Sequence, residues 1–106
     1  MTESSPVEWS ELMAHTAGDE ALARELLALF LNSARRYIDD MAAAPDGETW
    51  RRLAHTLKGA ALSVGAPRLA ALALAAERLD DRGSRDRTVQ NLRVALDAVR
   101  RYANGI

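Results

Sequence analysis

Residues 50–64, WRRLAHTLKGAALSV, hold the pattern that decides the fold of this 106-residue chain. Apolar side chains recur there every three or four residues, and this spacing predicts an amphipathic helix with one buried face. Asp46 is the expected N-cap of the helix, and Gly65 lies near its expected end. The predicted core positions are Trp50, Leu53, Leu57, Ala60, Ala61 and Val64.

Two helices are predicted before this one. Residues 5–8, SPVE, predict a capping box with Pro6 as the first helical residue of a short helix, and Gly18 is the expected C′ residue at its end. Asp19 is a suitable N-cap for a long second helix, which the Pro-Asp-Gly sequence at 45–47 interrupts. The predicted core positions of the second helix are Leu22, Leu26, Leu29, Phe30, Tyr37, Ile38 and Met41.

Two more helices are predicted after residue 65. The fourth helix is expected to begin with Pro67, a residue that suits the first helical position because its missing N–H has no partner there in any case. A polar turn at 80–84 separates it from the fifth helix, for which Ser84 is the expected N-cap. The predicted core positions are Leu69, Leu72, Ala73, Ala76 and Leu79 in the fourth helix and Val89, Leu92, Leu96 and Val99 in the fifth.

The helices and their short connections predict the fold class. Four amphipathic helices of roughly 17 to 25 residues, joined by short turns, favour an all-α, antiparallel up-and-down four-helix bundle, because short connections make sequential helices pack side by side. The short first helix is expected to cap one end of the bundle. Since a chain of this length fits one hydrophobic core, we expect residues 1–106 to form a single domain.

Composition excludes several classes of function. With a net charge of −1, the chain lacks the excess of basic residues that nucleic-acid binding requires. With no cysteine and two histidines, the chain has no disulfide and a poor set of metal ligands. Its sequence contains no secretory signal and no run of ~18 apolar residues. We therefore expect a cytoplasmic protein that binds neither nucleic acid nor membranes.

His55 is the candidate functional residue. On a helical wheel it lies about 200° from Leu57, so it is predicted to face away from the core. Lys58, three residues later, is placed to bring an ammonium group near the imidazole, and Gly59, four residues later, leaves open space beside the ring. The remaining members of this predicted exposed face are Glu48, Arg51, Arg52 and Leu62.

The residues around His55 suit a phosphoryl group as its reaction partner. A neutral imidazole has one unprotonated nitrogen that can act as a nucleophile. Lys58, Arg51 and Arg52 would offset the negative charge that a phosphoryl group brings. Leu62 offers apolar area for docking, and because no local catalytic cluster is visible, the catalytic groups are expected on a partner.

Residues 55–61, HTLKGAA, and the continuation at 62–69, LSVGAPRL, resemble the signature of histidine-containing phosphotransfer (HPt) domains. That signature runs His-x-Leu-Lys-Gly-Ser/Ala, followed by an apolar residue and then by a glycine and a leucine-bearing helix. The resemblance extends over the whole chain through Glu8-Trp9, the GDE sequence at 18–20 and Ala76-Glu77. The departures are Ala60-Ala61, where many members have serine, and Val64, where phenylalanine is common.

The resemblance implies a phosphoryl carrier in a multistep phosphorelay. His55 would accept a phosphoryl group from the aspartate of one response-regulator receiver domain and pass it to another, with a hybrid sensor histidine kinase as a further partner. Lys58 would steady the phosphoryl oxygens and Gly59 would provide steric clearance. Mg²⁺ is expected on the receiver, so the chain would need no cofactor and no ATP site of its own. A monomer is the expected form.

Two other classes of function fit parts of the sequence. In the first, the same bundle is a non-phosphorylated interaction module that binds a receiver or another signalling partner through Arg51, Arg52 and Leu62. In the second, the chain is a free-standing enzyme, which we disfavour because the sequence has no phosphate-binding glycine-rich loop and no nucleophile-base pair. His15 is expected to interact with the dipole of the first helix and to have no catalytic role. The initiating Met and the well-defined last helix favour a stand-alone protein.

Overall fold

The computed structural model describes residues 5–106, and every regular element in that range is helical. A single 3-10 turn, Arg82–Ser84, precedes the last α-helix. The all-α fold class predicted from the sequence is therefore confirmed. The α-helices are α1 (Trp9–His15), α2 (Glu20–Ala42), α3 (Gly47–Ser63), α4 (Pro67–Glu77) and α5 (Arg85–Asn104).

The four longer helices surround one hydrophobic core. α2 packs against α3 and α5, α4 also packs against α3 and α5, and α1 contacts α2. None of the helices within 5–106 combines the length and the apolar composition needed to cross a membrane. The largest fully buried side chains are those of Trp50, Leu12, Leu27, Ile38, Met41, Leu57, Leu69 and Leu92.

The N-cap predictions hold for α2 and α3. Asp19 Oδ1 accepts a hydrogen bond of 3.0 Å from the Leu22 N–H, and Asp46 Oδ1 accepts one of 2.7 Å from the Thr49 N–H. Each carboxylate thereby satisfies a backbone donor that the first turn of a helix leaves unpaired. Pro67 is the first residue of α4, as predicted.

The predicted capping box of the first helix is wrong. α1 begins at Trp9, so Pro6 lies before the helix, and the Ser5 hydroxyl oxygen accepts from the Val7 N–H, at 3.4 Å. The backbone at Glu8 is bound to the α3–α4 connection, because the Glu8 N–H donates to the carbonyl of Gly65 at 2.6 Å. This contact with the α3–α4 connection leaves residues 6–8 non-helical.

The end of α1 also differs from the prediction by one residue. Ala17, with φ 54°, takes the left-handed C′ position, and Gly18 follows it with φ 83°. The Gly18 N–H donates to the Met13 carbonyl at 2.8 Å and the Ala17 N–H to the Ala14 carbonyl at 3.3 Å. These two bonds form a Schellman motif, which satisfies the last carbonyl groups of the helix.

The buried face of α2 is rotated from the predicted one. Phe30, Ile38 and Met41 are buried as predicted, whereas Leu22 and Leu29 are exposed and Leu26 and Tyr37 are half-buried. Since Leu26 and Leu27 are adjacent, the leucine pattern alone does not decide which of two neighbouring faces of α2 is buried. The structure buries the face that carries small residues, which let the neighbouring helices approach closely. Its further members are Ala23, Leu27 and Ala34.

In α3 to α5 most predicted core positions are buried. Ala60, Leu72, Leu79 and Leu96 are only partly buried against the core, and the buried residues Ala54, Ala70 and Ala95 had not been predicted. These three are alanines, whose small apolar area is a weaker signal of a buried helix face than that of leucine.

The connection between α4 and α5 differs from its prediction in two ways. α4 has 11 residues, fewer than expected, because Asp81 organises a turn after it: the carboxylate accepts from the Gly83 N–H and the Ser84 hydroxyl, at 2.9 and 2.7 Å. Such local side-chain bonds compete with continuation of a helix. Ser84 is the N-cap residue of α5, as predicted, but its hydroxyl donates to Asp81 and makes no capping hydrogen bond to the helix.

Candidate functional site

His55 lies on the solvent-facing side of α3, as predicted. Its side chain is 67% exposed, whereas Leu57, two residues later, is fully buried. The alternation follows from the helical repeat, which turns residues two apart to nearly opposite sides. The core packing of Leu57 therefore directs His55 outward.

Glu77, the last residue of α4, completes the site. Its Oε1 lies 2.8 Å from Nδ1 of His55 and 3.6 Å from Nζ of Lys58. Lys58 is largely covered in this position, with 23% of its side chain exposed. Because α4 packs directly on α3, a residue 22 positions away in sequence becomes the nearest polar partner of the imidazole.

Trp50 positions the end of α4 that carries Glu77. Its indole Nε1 donates a 2.8 Å hydrogen bond to the carbonyl of Ala76, and the ring is buried. The bond connects the core face of α3 to the residue immediately before Glu77. The carboxylate is thus presented to His55 from a backbone held by the core.

The contact with Glu77 selects the tautomer of His55. An ionised carboxylate only accepts hydrogen bonds, so Nδ1 of His55 carries the proton and donates it. In the neutral ring the lone pair then lies on Nε2. This hydrogen bond is the main cause that lowers the pKa of Glu77, and the charge of Lys58 lowers that pKa further. Glu77 is therefore ionised at neutral pH.

Among residues 5–106 no packing contact explains the glycine at position 59. A Cβ added at Gly59 would meet no atom within 4 Å outside the local helix backbone, although glycine in a helix interior costs about 1 kcal/mol relative to alanine. Leu62, at the next turn, is 54% exposed. The surface beyond His55 therefore combines open space with exposed apolar area.

The two predicted arginines are exposed, and among residues 5–106 neither forms an ion pair with Glu77. The Arg51 side chain turns back toward the first residue of α3: its Nη1 lies 3.1 Å from the position that a Cβ on Gly47 would take. Arg52 is exposed on the same helix, and its backbone carbonyl accepts a hydrogen bond from the Thr56 hydroxyl. Within residues 5–106 the structure therefore places Lys58, and neither arginine, in contact with Glu77 at the His55 site.

His15 has a structural contact. It is the last residue of α1, and its Nδ1 donates to the carbonyl of Ser63 at the end of α3, at 2.7 Å. This bond joins the ends of two helices. Within residues 5–106 no group of three or more His, Cys, Asp or Glu side chains is arranged to hold a metal ion.

Glu77 is the site residue that the sequence prediction omitted. The Ala76-Glu77 pair carried part of the family resemblance, but no periodicity links position 77 to position 55. Their proximity depends on how α4 crosses α3, which a sequence pattern does not specify. A carboxylate at the last residue of a helix, where the helix dipole disfavours it, was the available signal.

The Hpt domain family matches the chain over residues 25–104, a range that includes α3, α4 and the whole His55 site. The chain therefore belongs to the Hpt domain family, whose members take part in histidine phosphotransfer in two-component signalling. The resemblance seen in the sequence is confirmed at this level. No match was found among curated proteins or among solved structures.

Proposed function

We propose that this protein is a phosphoryl carrier in a multistep phosphorelay, with His55 as the phosphorylated residue. It accepts the phosphoryl group from the aspartate of one receiver domain and passes it to the aspartate of another. The observation that carries the proposal is the exposed imidazole whose Nδ1 is held by Glu77 at 2.8 Å. A phosphorylated hybrid sensor histidine kinase would supply the phosphoryl group through its own receiver.

In the transfer step, the lone pair of His55 Nε2 attacks the phosphorus atom of the aspartyl phosphate. An N–P bond forms as the P–O bond to the aspartate breaks, and the aspartate leaves as a carboxylate. The proton on Nδ1 stays in its hydrogen bond to Glu77, which offsets the positive charge that the ring acquires. Transfer to the second receiver is the reverse of this step.

Lys58 supplies positive charge to the phosphoryl oxygens. In the unphosphorylated protein its ammonium group lies 3.6 Å from Glu77, and a rotation of its flexible side chain would bring it to a group on Nε2. Since Glu77 contacts both His55 and Lys58, one carboxylate orients the nucleophile and keeps the cation close to it. Mg²⁺ and the acidic residues that bind it belong to the receiver.

The receiver docks on the exposed face of α3. Gly59 leaves room for the rim of its active site, Leu62 contributes apolar contact, and Arg51 and Arg52 provide positive charge at the edge. We further propose that residues 1–106 act as one monomeric domain, an antiparallel bundle capped by α1, in the cytoplasm. The packing of α2 and α4 against both α3 and α5 supports this arrangement.

The decisive experiment is a transfer assay with the purified chain and a phosphorylated receiver domain in the presence of Mg²⁺. The wild type should acquire an acid-labile, alkali-stable label. A His55→Gln variant should acquire none, and His15→Gln, which removes the other histidine, should be labelled as the wild type is. Equal labelling of His55→Gln and the wild type would refute the proposal.

The exposure of Leu62 favours a second candidate function, in which the chain binds a partner without being phosphorylated. If the chain is a non-phosphorylated interaction module, its partner affinity and its signalling output depend on Leu62 and not on the imidazole. A Leu62→Asp variant would then lose both, whereas His55→Gln would retain both. In a phosphoryl carrier, His55→Gln retains partner affinity and loses the output. The two variants measured together decide between these functions.

A further inference from the structure

Two arginine side chains from different helices meet at the start of α3. A Cβ on Gly47 would lie 3.1 Å from Nη1 of Arg51 and 3.4 Å from Nη2 of Arg85. Arg51 belongs to α3 and Arg85 is the first residue of α5. Two positively charged groups thus share a small volume beside a residue that has no side chain.

Arg85 is held in place by an aromatic ring. Its Cζ lies 5.2 Å from the centroid of the Trp50 ring, within the range of a cation–π interaction. Trp50 itself is buried and hydrogen-bonded to Ala76, so the ring is a fixed platform. The Arg85 guanidinium is therefore oriented before any partner arrives, and less side-chain entropy is lost when it binds.

The described part of the chain provides no carboxylate in contact with the two guanidinium groups. Among residues 5–106 no carboxylate oxygen lies within 4 Å of either group, whereas Arg93 is paired with Asp39 at 2.8 Å. Asp46 is near enough for both arginines to lower its pKa, but the larger cause of that shift is its hydrogen bond from Thr49. Its carboxylate serves chiefly as the cap of α3.

We propose that Arg51 and Arg85 together bind a carboxylate on the surface of the receiver domain and contribute to the choice of receiver. This inference rests on the proposed function and extends its docking surface from α3 to α5. Guanidinium groups bind carboxylates through paired N–H donors, which makes a carboxylate the matching chemistry for two adjacent arginines.

The arginine pair lies within reach of a receiver centred on His55. Gly47 precedes His55 by eight residues, or about 12 Å along the helix axis. An interface that buries ~800 Å² on each partner has a radius of roughly 16 Å if it is circular. The contact is thus placed at the rim of the interface, where charges act mainly on the association rate and on specificity.

The test compares the rate of phosphoryl transfer from the phosphorylated full chain to a receiver domain that accepts from the wild type. Arg51→Gln and Arg85→Gln should each lower this rate about fivefold at low salt and subsaturating receiver, and the difference should shrink as the salt concentration rises. Arg101→Gln is the matched control. It removes the same charge about 24 Å away along α5, and Asp97 keeps its contact with Arg100.

Labelling of His55 by phosphoramidate, a small phosphoryl donor that needs no docking surface, separates the two claims. Arg85→Gln and Arg101→Gln should be labelled at the wild-type rate, which also shows that the His55 site is folded in both variants. If Arg51→Gln and Arg85→Gln transfer to the receiver as fast as Arg101→Gln does, the inference is overturned while the carrier function stands. If His55→Gln is labelled like the wild type, the carrier function itself fails.

Discussion

Glu77 has a position that helix stability alone would not favour. Its carboxylate lies at the C-terminal end of α4, where the helix dipole is negative, yet it contacts both His55 and Lys58. The hydrogen bond from His55 and the positive charge of Lys58 compensate for the unfavourable dipole. We therefore regard Glu77 as a positioning residue that acts through His55.

Replacing Glu77 should change the protonation pattern of the imidazole as well as the transfer rate. Glu77→Ala removes the acceptor from Nδ1, and we expect transfer from a receiver to slow about tenfold, the effect of losing a hydrogen bond to a charged group. Glu77→Gln retains an acceptor oxygen and should lose less. Nitrogen-15 NMR of the His55 ring should show the Nδ1–H tautomer in the wild type and a shift toward Nε2–H in Glu77→Ala. An unchanged tautomer in Glu77→Ala would contradict the assigned role.

At the scale of the helices, two glycines near the site differ in why they lack a side chain. Gly65 has φ 69°, and a Cβ there would lie 2.9 Å from the carbonyl oxygen of Glu8. This glycine allows the chain before α1 to cross the α3–α4 connection. Gly59 is surrounded by open space among the described residues, so no packing contact there requires it to lack a side chain.

The two glycines should therefore respond oppositely to alanine. Gly65→Ala should lower the free energy of unfolding by about 1–3 kcal/mol, through a strained backbone and a clash with Glu8. Gly59→Ala should raise it by about 1 kcal/mol and still slow transfer from a receiver. Urea unfolding measures the first effect in each variant, and the transfer assay measures the second. A Gly59→Ala variant with wild-type transfer would remove steric clearance as the explanation for this glycine.

For the whole molecule, the shifted carboxyl groups predict a loss of stability in acid. The pKa values of Asp46, Glu77, Asp81 and Asp97 are all lowered, chiefly by hydrogen bonds to the ionised carboxylates. Each group therefore stabilises the fold fully above its ordinary pKa, 3.8 for Asp and 4.5 for Glu. That contribution is lost as the pH falls through the lowered value.

The melting temperature should thus be nearly constant from pH 7 to about 5 and fall steadily toward pH 2. Asp46→Asn should melt lower than the wild type at pH 7, and the difference between the two should narrow in acid, because protonation makes the wild-type side chain neutral as well. Thermal unfolding followed by circular dichroism at each pH gives both curves. A difference that stays constant down to pH 2 would show that the Asp46 charge contributes nothing.

The sequence predicted the helices and the outward direction of His55 because both follow from local periodicity. Asp19 and Asp46 were identifiable as caps for the same reason: their partners lie three residues away. The buried face of α2 and the partner of His55 were not predictable in this way. Alanines mark a helix face weakly, and the contact between positions 55 and 77 exists only once α3 and α4 are packed.

The indole of Trp50 bears on how such a protein can diverge. Its Nε1 holds the carbonyl of Ala76, the residue before Glu77, and its ring orients Arg85. A substitution at Trp50 would alter catalysis, folding and recognition together, and selection could not act on them separately. In the proposed interface, changes at Arg51 or Arg85 would alter recognition and leave the contact between His55 and Glu77 in place. Duplicated copies of this chain could therefore acquire separate signalling partners by substitutions at its arginines while the chemistry of His55 stayed intact.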